Sequence, residues 1–331
     1  ISKKDQSLSI NFDTIKIKFD LPDFNLFLST TNPKISYQNI VLPVNKLKIY
    51  LNFFSLIQSK TTLNSLEIFV GELRISEIKK LIIRSKPSNF KSFILNDITK
   101  GNVQGNIFLN FETDSKIKNY KINGKVKELN FKVIEKLKVK NSNFNFIADN
   151  ELILLNSITG KFMDIPVSNG SIEIKTNKEI SLKGKVESKI DFNNNQISKL
   201  SSGFIDKDFL NNKIELKGSF LNNFSLNFSE TLKLKNYKYN LNGNIESSKI
   251  TFEDQINSSF FKKDLKNINI NNSALNVNLD KKDNNIKIDG TYYFNDDEKQ
   301  NKFNLSTKIS KKGSDTKFEI DIKDKIFIEL L

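Results

Sequence analysis

The side chains that most often do chemistry are scarce in this 331-residue chain. It contains no His and no Cys, which removes the usual general base, the commonest metal ligand and all thiol chemistry. The acidic groups Asp296-Asp297-Glu298 and Asp321 with Asp324 lie among lysines and turn residues. A distant pair of carboxylates remains the one catalytic option, and no P-loop, dinucleotide fingerprint or calcium loop occurs. We therefore predict that the protein is not an enzyme and that it holds no metal or cofactor.

Glycines mark the most regular pattern of the sequence. Seven of the twelve glycines stand between two apolar residues, each two positions away. Residues i, i+2 and i+4 of a strand lie on one face, so each copy places two apolar side chains and a gap on the same face. The pattern predicts one long sheet with a continuous apolar side, in which each glycine marks local curvature or a gap for a ligand. These glycines are Gly105, Gly124, Gly160, Gly184, Gly218, Gly243 and Gly290.

Asn-Gly pairs also favour hairpin turns, in which the pair would lie between two strands instead of within one. A turn at residues 123–124 would pair Ile122 with Lys125, and the two faces would mismatch. That pair is therefore predicted to lie within a strand. A turn at Asn169-Gly170 would pair apolar with apolar and Ser with Ser, so we predict a hairpin there.

The elements that must carry these patterns are mostly strands. Before residue 101 the spacing predicts a helical turn at 53–57 and two short helices. Ser76 would cap the first helix with Ile75 just outside it, and Ser88 would cap the second, which would end at Gly101. We expect both helices to pack on the sheet rather than to lie on a membrane. From residue 101 onward alternation predicts strands only, and the roughly 20 strands of the chain indicate an up-and-down antiparallel meander.

A weak internal repeat supports this architecture. Residues 120–126 resemble residues 239–245, and farther along, residues 141–146 resemble residues 272–277. The repeat predicts a sheet built from similar multi-strand units.

The net charge of +14 comes almost entirely from lysine, because the only arginines are Arg74 and Arg84. Nucleic-acid recognition normally depends on the bidentate contacts that arginine makes. The lysines instead alternate with apolar residues along strands, which is typical of the solvated face of a half-buried sheet. We therefore expect no nucleic-acid partner. Examples of this alternation are Lys16, Lys18, Lys138 and Lys140.

The segment from Leu47 to Ile57, followed by the segment from Leu63 to Phe69, resembles the amino-terminal region of AsmA-like proteins. The later Gly-centred strands resemble the repeats of the AsmA, TamB and YhdP group. The resemblance implies an amino-terminal α+β region over 1–100, continuous with a repeating antiparallel β-groove over 101–331. The expected fold is mostly β, a long curled antiparallel meander forming a taco-like trough, with a few short helices in the first third.

The same resemblance implies a function and a location. The protein would transport phospholipid or another diacyl lipid between the inner and outer membranes, supporting outer-membrane biogenesis together with assembly proteins there. It would be periplasmic and anchored in the bacterial inner membrane by a segment missing from this fragment, which itself has no apolar run of transmembrane length.

The alternation predicts which side chains would line such a groove. The predicted lining residues are Ile107, Ile122, Val126, Phe144, Phe146, Phe162, Leu182, Val186, Phe224, Leu226, Tyr239, Leu241, Ile245, Leu275 and Ile288. Some of them could pack instead against a neighbouring sheet or helix.

Two other hypotheses compete with a lipid conduit. A structural or adhesin-like surface β-solenoid would bury the same side chains in a sealed core, whereas a conduit would leave an open, lipid-accessible seam. A polyanion binder would use the lysines, and its affinity would fall steeply with salt. The conduit is favoured because each acyl methylene kept from water is worth about 0.8 kcal/mol. An apolar lining provides this stabilisation without any particular side chain.

Overall fold

The structure is a computed structural model of the chain. It describes residues 8–20, 25–37, 40–52, 62–83, 86–112, 114, 116–134, 137–176, 179–201, 212–229, 233–256, 264–281, 284–295, 299–310 and 313–321. The predicted helical turn at 53–57 and the acidic residues 296–298 and 324 lie outside these ranges.

The described residues contain nineteen strands and three helices. The strands of the first half are β1 Leu8–Asn11, β2 Lys16–Asp20, β3 Asn25–Thr31, β4 Lys34–Tyr37, β5 Ile40–Leu42, β6 Val44–Asn52, β7 Leu63–Arg74, β8 Ile98–Phe111, β9 Ile117–Ile134, β10 Leu137–Asp149 and β11 Leu152–Phe162. The remaining strands are β12 Ile165–Thr176, β13 Ile180–Phe192, β14 Lys213–Phe228, β15 Leu234–Ile256, β16 Leu265–Asp280, β17 Asn284–Phe294, β18 Asn301–Ser310 and β19 Gly313–Ile320. The helices are α1 Ile75–Ile82, α2 Asn89–Asn96 and α3 Asn194–Ser201.

Sixteen of the strands form one sheet whose order follows the chain. From β19 back to β6 each strand lies beside its sequence neighbour, and β3 and β2 complete the linear order. The pairs are antiparallel, as in β14 with β15 and β8 with β9. The short strands β1, β4 and β5 form a separate sheet. The mostly β antiparallel meander predicted from sequence is confirmed.

The chain divides into two compact units. Unit 1 contains residues 1–164 and 171–177, and unit 2 contains residues 165–170 and 178–331. The sequence-based boundary at residue 100 separates kinds of element rather than compact units, and it stays a prediction.

All seven patterned glycines lie inside strands, as the spacing predicted. The hairpin predicted at Asn169-Gly170 is wrong, because β12 runs through both residues. The turn lies earlier, at Met163 and Asp164, whose φ values of 51° and 67° are both positive. Two consecutive positive φ values are the mark of a type I′ hairpin turn, and with the hairpin closed there, Asn169-Gly170 falls in mid-strand.

The helix ends differ from the predicted ones. Helix α1 begins at Ile75 rather than after Ser76, because the Glu77 carboxylate accepts a 2.8 Å hydrogen bond from the Arg74 backbone N–H. Ser88 does cap α2, accepting a 3.1 Å hydrogen bond from the Lys91 N–H. Helix α2 ends at Asn96, and Gly101 lies within β8 instead of terminating the helix.

Helix α3 contradicts the prediction that only strands follow residue 101. Its amino-terminal end carries reciprocal hydrogen bonds, from the Gln196 N–H to Asn193 Oδ1 at 3.3 Å and from the Asn193 N–H to Gln196 Oε1 at 3.1 Å. This is the geometry of a capping box. The glutamine three residues after Asn193 is the sequence signal for this helix.

Strands of both units contain β-bulges. Glu128, Asn141 and Ser157 of unit 1 have φ values of 52°, 50° and 55° in successive strands, and the pairing shifts register beside Asn141. A bulge inserts one residue and bends its strand. It also resets the alternation, so that Val126 and Leu129, three positions apart, are buried in the same cluster.

The internal repeat has a structural counterpart. Asn272 of β16 has φ 45°, and the register shifts beside it, as happens at Asn141 of β10. In each case the following serine, Ser142 or Ser273, is buried. The two matching sequence segments therefore encode the same bulge.

Candidate functional site

The predicted lining residues of unit 2 lie on a single face. Directly opposite residues of an antiparallel pair share a face. One row across the sheet joins Val186 to Asn222 and then to Leu241. Three further rows fix the same face, joining Leu182 to Leu226, Phe224 to Tyr239, and Leu275 to Ile288, and Ile245 follows Leu241 by two further steps of two residues along β15. We call this surface the unit 2 apolar face.

Unit 1 has a corresponding apolar face. Ile107 pairs with Ile122, and Val126 pairs with Phe144. Phe146 lies opposite Gly124, between Ile122 and Val126. Phe162 pairs with Val139, which pairs with Phe131 on the far side of β10. Phe131 packs against the same core as Val126 and Phe144, which places Phe162 on this face too.

Exposure distinguishes a sealed core from an accessible surface. Only Val126 and Ile245, at 7% and 8% exposure, are buried among the fifteen predicted residues. Phe162 is 39% exposed, and the other twelve are half-buried. Solvent therefore reaches most of the two apolar faces.

Helices cover part of the unit 1 face. Ile75 of α1 and Ile94 of α2 are buried against Ile98, Val126 and Leu129, while Phe144 and Phe146 pack around this cluster. These helices pack on the sheet, as predicted. Three of the predicted lining residues, Val126, Phe144 and Phe146, thus contribute to a local core at this end of the strands.

Aromatic rings occupy the gaps left by three patterned glycines. A Cβ built on Gly184 would lie 2.2 Å from the Phe224 ring, and one on Gly243 would lie 2.3 Å from the Phe220 ring. A Cβ on Gly124 would lie 2.9 Å from the Phe146 ring. The ligand-gap hypothesis does not apply at these three positions, because a phenylalanine from a neighbouring strand already fills the space.

One hydrogen-bonded polar pair interrupts the unit 2 apolar face. The Tyr239 hydroxyl donates to Asn222 Oδ1 at 2.7 Å, and Asn222 Nδ2 donates to the Val186 carbonyl at 3.2 Å. Burial raises the pKa of the Tyr239 phenol above its ordinary value. The pair keeps two polar groups satisfied on a surface that is mostly apolar; in the row of Leu241 the face also contains Thr307 and Thr316, whose hydroxyls lie 3.2 Å apart.

The predicted list of lining residues left out other members of this face. Val277 pairs with Ile286 in the row of Leu241, and Ile288 pairs with Leu305 in the next row. All three missed residues, Val277, Ile286 and Leu305, are half-buried. Val277 and Ile286 each lie two positions from a predicted residue, and Leu305 belongs to the apolar-polar alternation of β18. The sequence therefore contained a signal for all three.

The opposite face is polar and largely uncharged at its centre. Asn240 pairs with Asn223 on one side and with Asn278 on the other, and its amide donates to the Asn278 side chain. In unit 1, Lys138 and Lys140 are exposed beside the half-buried Val139, as expected for a solvated face. In β2 that alternation is absent, because Ile17, at 68% exposure, is accessible together with Lys16 and Lys18. Lys140 also forms a 2.8 Å ion pair with Asp164.

Metal-ligating side chains do not cluster in the described ranges. No group of three or more His, Cys, Asp or Glu side chains there could hold a metal ion. Asp321, the one described member of the acidic groups noted above, is exposed, and its backbone N–H donates to the Lys302 carbonyl at 2.9 Å.

None of the helices described is both long enough and apolar enough to span a bilayer. Comparison with known proteins gives no relative: no family model, curated protein or solved structure matches the chain. The AsmA-like resemblance therefore rests on the quoted sequence segments alone.

Proposed function

We propose that the two apolar faces bind the acyl chains of phospholipid or another diacyl lipid. On the resemblance to AsmA-like proteins, the chain would carry these lipids between the inner and outer membranes in the periplasm and so support outer-membrane biogenesis. The observation that carries the proposal is the combination of shared face and incomplete burial. Thirteen of the fifteen predicted residues lie on these apolar faces and remain accessible to solvent.

Acyl chains bound to these faces would displace water from apolar surface. A half-buried Leu, Ile or Phe surface gains about 25 cal/mol for each Å² covered by an apolar ligand. Each acyl methylene gains about 0.8 kcal/mol. Such binding needs area rather than specific donors, which suits a face on which Tyr239 and Asn222 are already hydrogen-bonded to each other.

The sealed β-solenoid is the competing hypothesis. The helix-covered cluster around Val126 is the observation that favours it. It accounts for one end of unit 1 and leaves the half-buried residues of unit 2 unexplained. The polyanion hypothesis has less support, since several exposed lysines are already paired, as Lys235 is with Glu179 at 2.5 Å.

The test is native mass spectrometry with lipid extraction on the purified protein. Co-purified phospholipid should be lost in the double variant Ile122→Asp with Leu241→Asp. The matched control is Asn123→Asp with Asn242→Asp, which adds the same charges at neighbouring positions on the opposite face. A folded wild-type protein that carries no lipid and takes none from vesicles would refute the proposal.

A photo-crosslinking residue gives a second measurement that does not depend on stable variants. Placed at Leu241 it should attach to acyl chains of added lipid, and placed at Asn242 it should not. Equal labelling at the two positions would also refute the proposal.

A further inference from the structure

The α1–α2 hairpin is rich in lysine. Between residues 78 and 96 the sequence contains no acidic residue. Four described lysines, Lys79, Lys80, Lys86 and Lys91, belong to this stretch. Glu77, the nearest acidic residue before it, is engaged with the Arg74 backbone N–H at the start of α1.

Two of the four lysines are hydrogen-bonded to backbone carbonyls, and the other two are exposed. Lys79 Nζ donates to the Leu95 carbonyl at 2.8 Å, and Lys91 Nζ donates to the Ile83 carbonyl at 2.6 Å. These carbonyls lie at helix carboxyl ends, where a positive charge is favourable. Lys80 and Lys86 are exposed. The two bonds fix one helix against the other without neutralising any charge.

A large apolar side chain lies exposed on the same hairpin, and its own carbonyl accepts the Lys91 hydrogen bond. Ile83, which follows the last residue of α1, is 61% exposed. The core beneath the hairpin is formed by other apolar side chains of its helices, since Ile75 and Ile94 are buried against the sheet. Ile83 is therefore not needed by the core beneath it.

We infer that the α1–α2 hairpin docks on an anionic lipid surface. The lysines face the headgroups, and Ile83 enters the boundary between headgroups and acyl chains. Lysines near an anionic bilayer each add about fivefold to the partition coefficient, and an apolar side chain in the interface adds to this. Charge complementarity together with a single exposed isoleucine fits a membrane surface better than a soluble polyanion, which offers no apolar partner for Ile83.

The docking is independent of whether lipid is carried on the apolar faces. It places this end of unit 1 at a bilayer. Cosedimentation with vesicles measures it directly, using phosphatidylcholine vesicles with and without phosphatidylglycerol.

The expected result is binding only to vesicles containing phosphatidylglycerol. Lys80→Gln with Lys86→Gln should weaken binding by on the order of 25-fold, since two lysines are removed at about fivefold each. Ile83→Ser should weaken it several-fold. The matched controls are Lys183→Gln with Lys185→Gln, on the exposed polar face of β13, and Val41→Ser, at a 70% exposed position of β5. Both should bind like the wild-type protein.

Three outcomes would overturn the inference. One is vesicle binding that the hairpin variants and the controls reduce equally. Another is an absence of binding to either vesicle. The third is binding to heparin that loses as much from the lysine changes as vesicle binding does, with no effect of Ile83→Ser, which would assign the surface to a soluble polyanion.

Discussion

At the scale of single residues, the glycines of the repeating pattern are explained by their neighbours. The Phe224 ring lies over Gly184 and the Phe220 ring lies over Gly243. A glycine in a strand normally weakens it, through backbone entropy and the lack of a side chain to pack. The ring restores the missing contact, so each glycine and its phenylalanine form one packing unit.

Gly184→Ala should therefore destabilise the protein by about 1–3 kcal/mol, the usual range for overpacking. Pairing it with Phe224→Leu should recover part of the loss, because the smaller side chain makes room for the methyl group. Lys185→Ala, at the next position on the exposed face, is the control and should change little. Urea unfolding measures all four proteins, and an unchanged midpoint for Gly184→Ala would contradict the packing unit.

The polar pair on the unit 2 face gives a second prediction at this scale. Asn222→Leu removes the acceptor of the Tyr239 hydroxyl and should cost about 1–3 kcal/mol, the penalty of an unsatisfied polar group. Asn222→Leu with Tyr239→Phe should be more stable than Asn222→Leu alone, because both polar groups are then gone. A double-mutant cycle measured by chemical denaturation gives the coupling, and a coupling near zero would mean that the hydrogen bond contributes nothing.

At the scale of elements, turns and bulges decide which residues share a face. The bulges at Asn141 and Asn272 reset the alternation at equivalent points of two strands. Apolar residues on both sides of each bulge consequently lie on one face. A strict period of two would have divided them between the faces.

The position of the β11–β12 hairpin provides a test. Met163 has φ 51°, a conformation that costs a residue other than Gly or Asn about 1–2 kcal/mol. Met163→Asn should therefore raise stability by about 1 kcal/mol. Asn169→Gly should lower it by about 0.5–1 kcal/mol, because Asn169 lies in mid-strand. Thermal unfolding distinguishes the two, and a stabilising Asn169→Gly would return the turn to residues 169–170.

At the scale of the whole molecule, each compact unit has its own apolar face. Ile122 belongs to unit 1 and Leu241 belongs to unit 2. The faces differ in cover, since α1 and α2 pack on that of unit 1. Both faces contain the same Gly-centred pattern.

The proposed function therefore predicts additive losses. Ile122→Asp and Leu241→Asp should each reduce the number of bound lipids without abolishing binding, and the double variant should bind almost none. Native mass spectrometry counts the lipids on each protein. Complete loss from either single change, in a protein that remains folded by circular dichroism, would indicate one shared site instead of two faces.

The sequence alone determined the strand content, the antiparallel meander and most of the two apolar faces. It could do so because a period of two is a local property: Leu182 and Val186 share a face whatever their neighbours do. Composition also limited the available chemistry, since a chain without His or Cys lacks those groups in any fold.

Only the tertiary structure decided the rest. Asn169-Gly170 met the local requirements of a hairpin, but the turn formed at Met163-Asp164. Strand pairing over many residues outweighs the turn preference of a single pair of residues. That Val126 is buried beneath α1 and α2 while Leu241 stays half-exposed depends on which elements pack together. Burial is a property of contacts distant in sequence, and alternation records only the face on which a side chain lies.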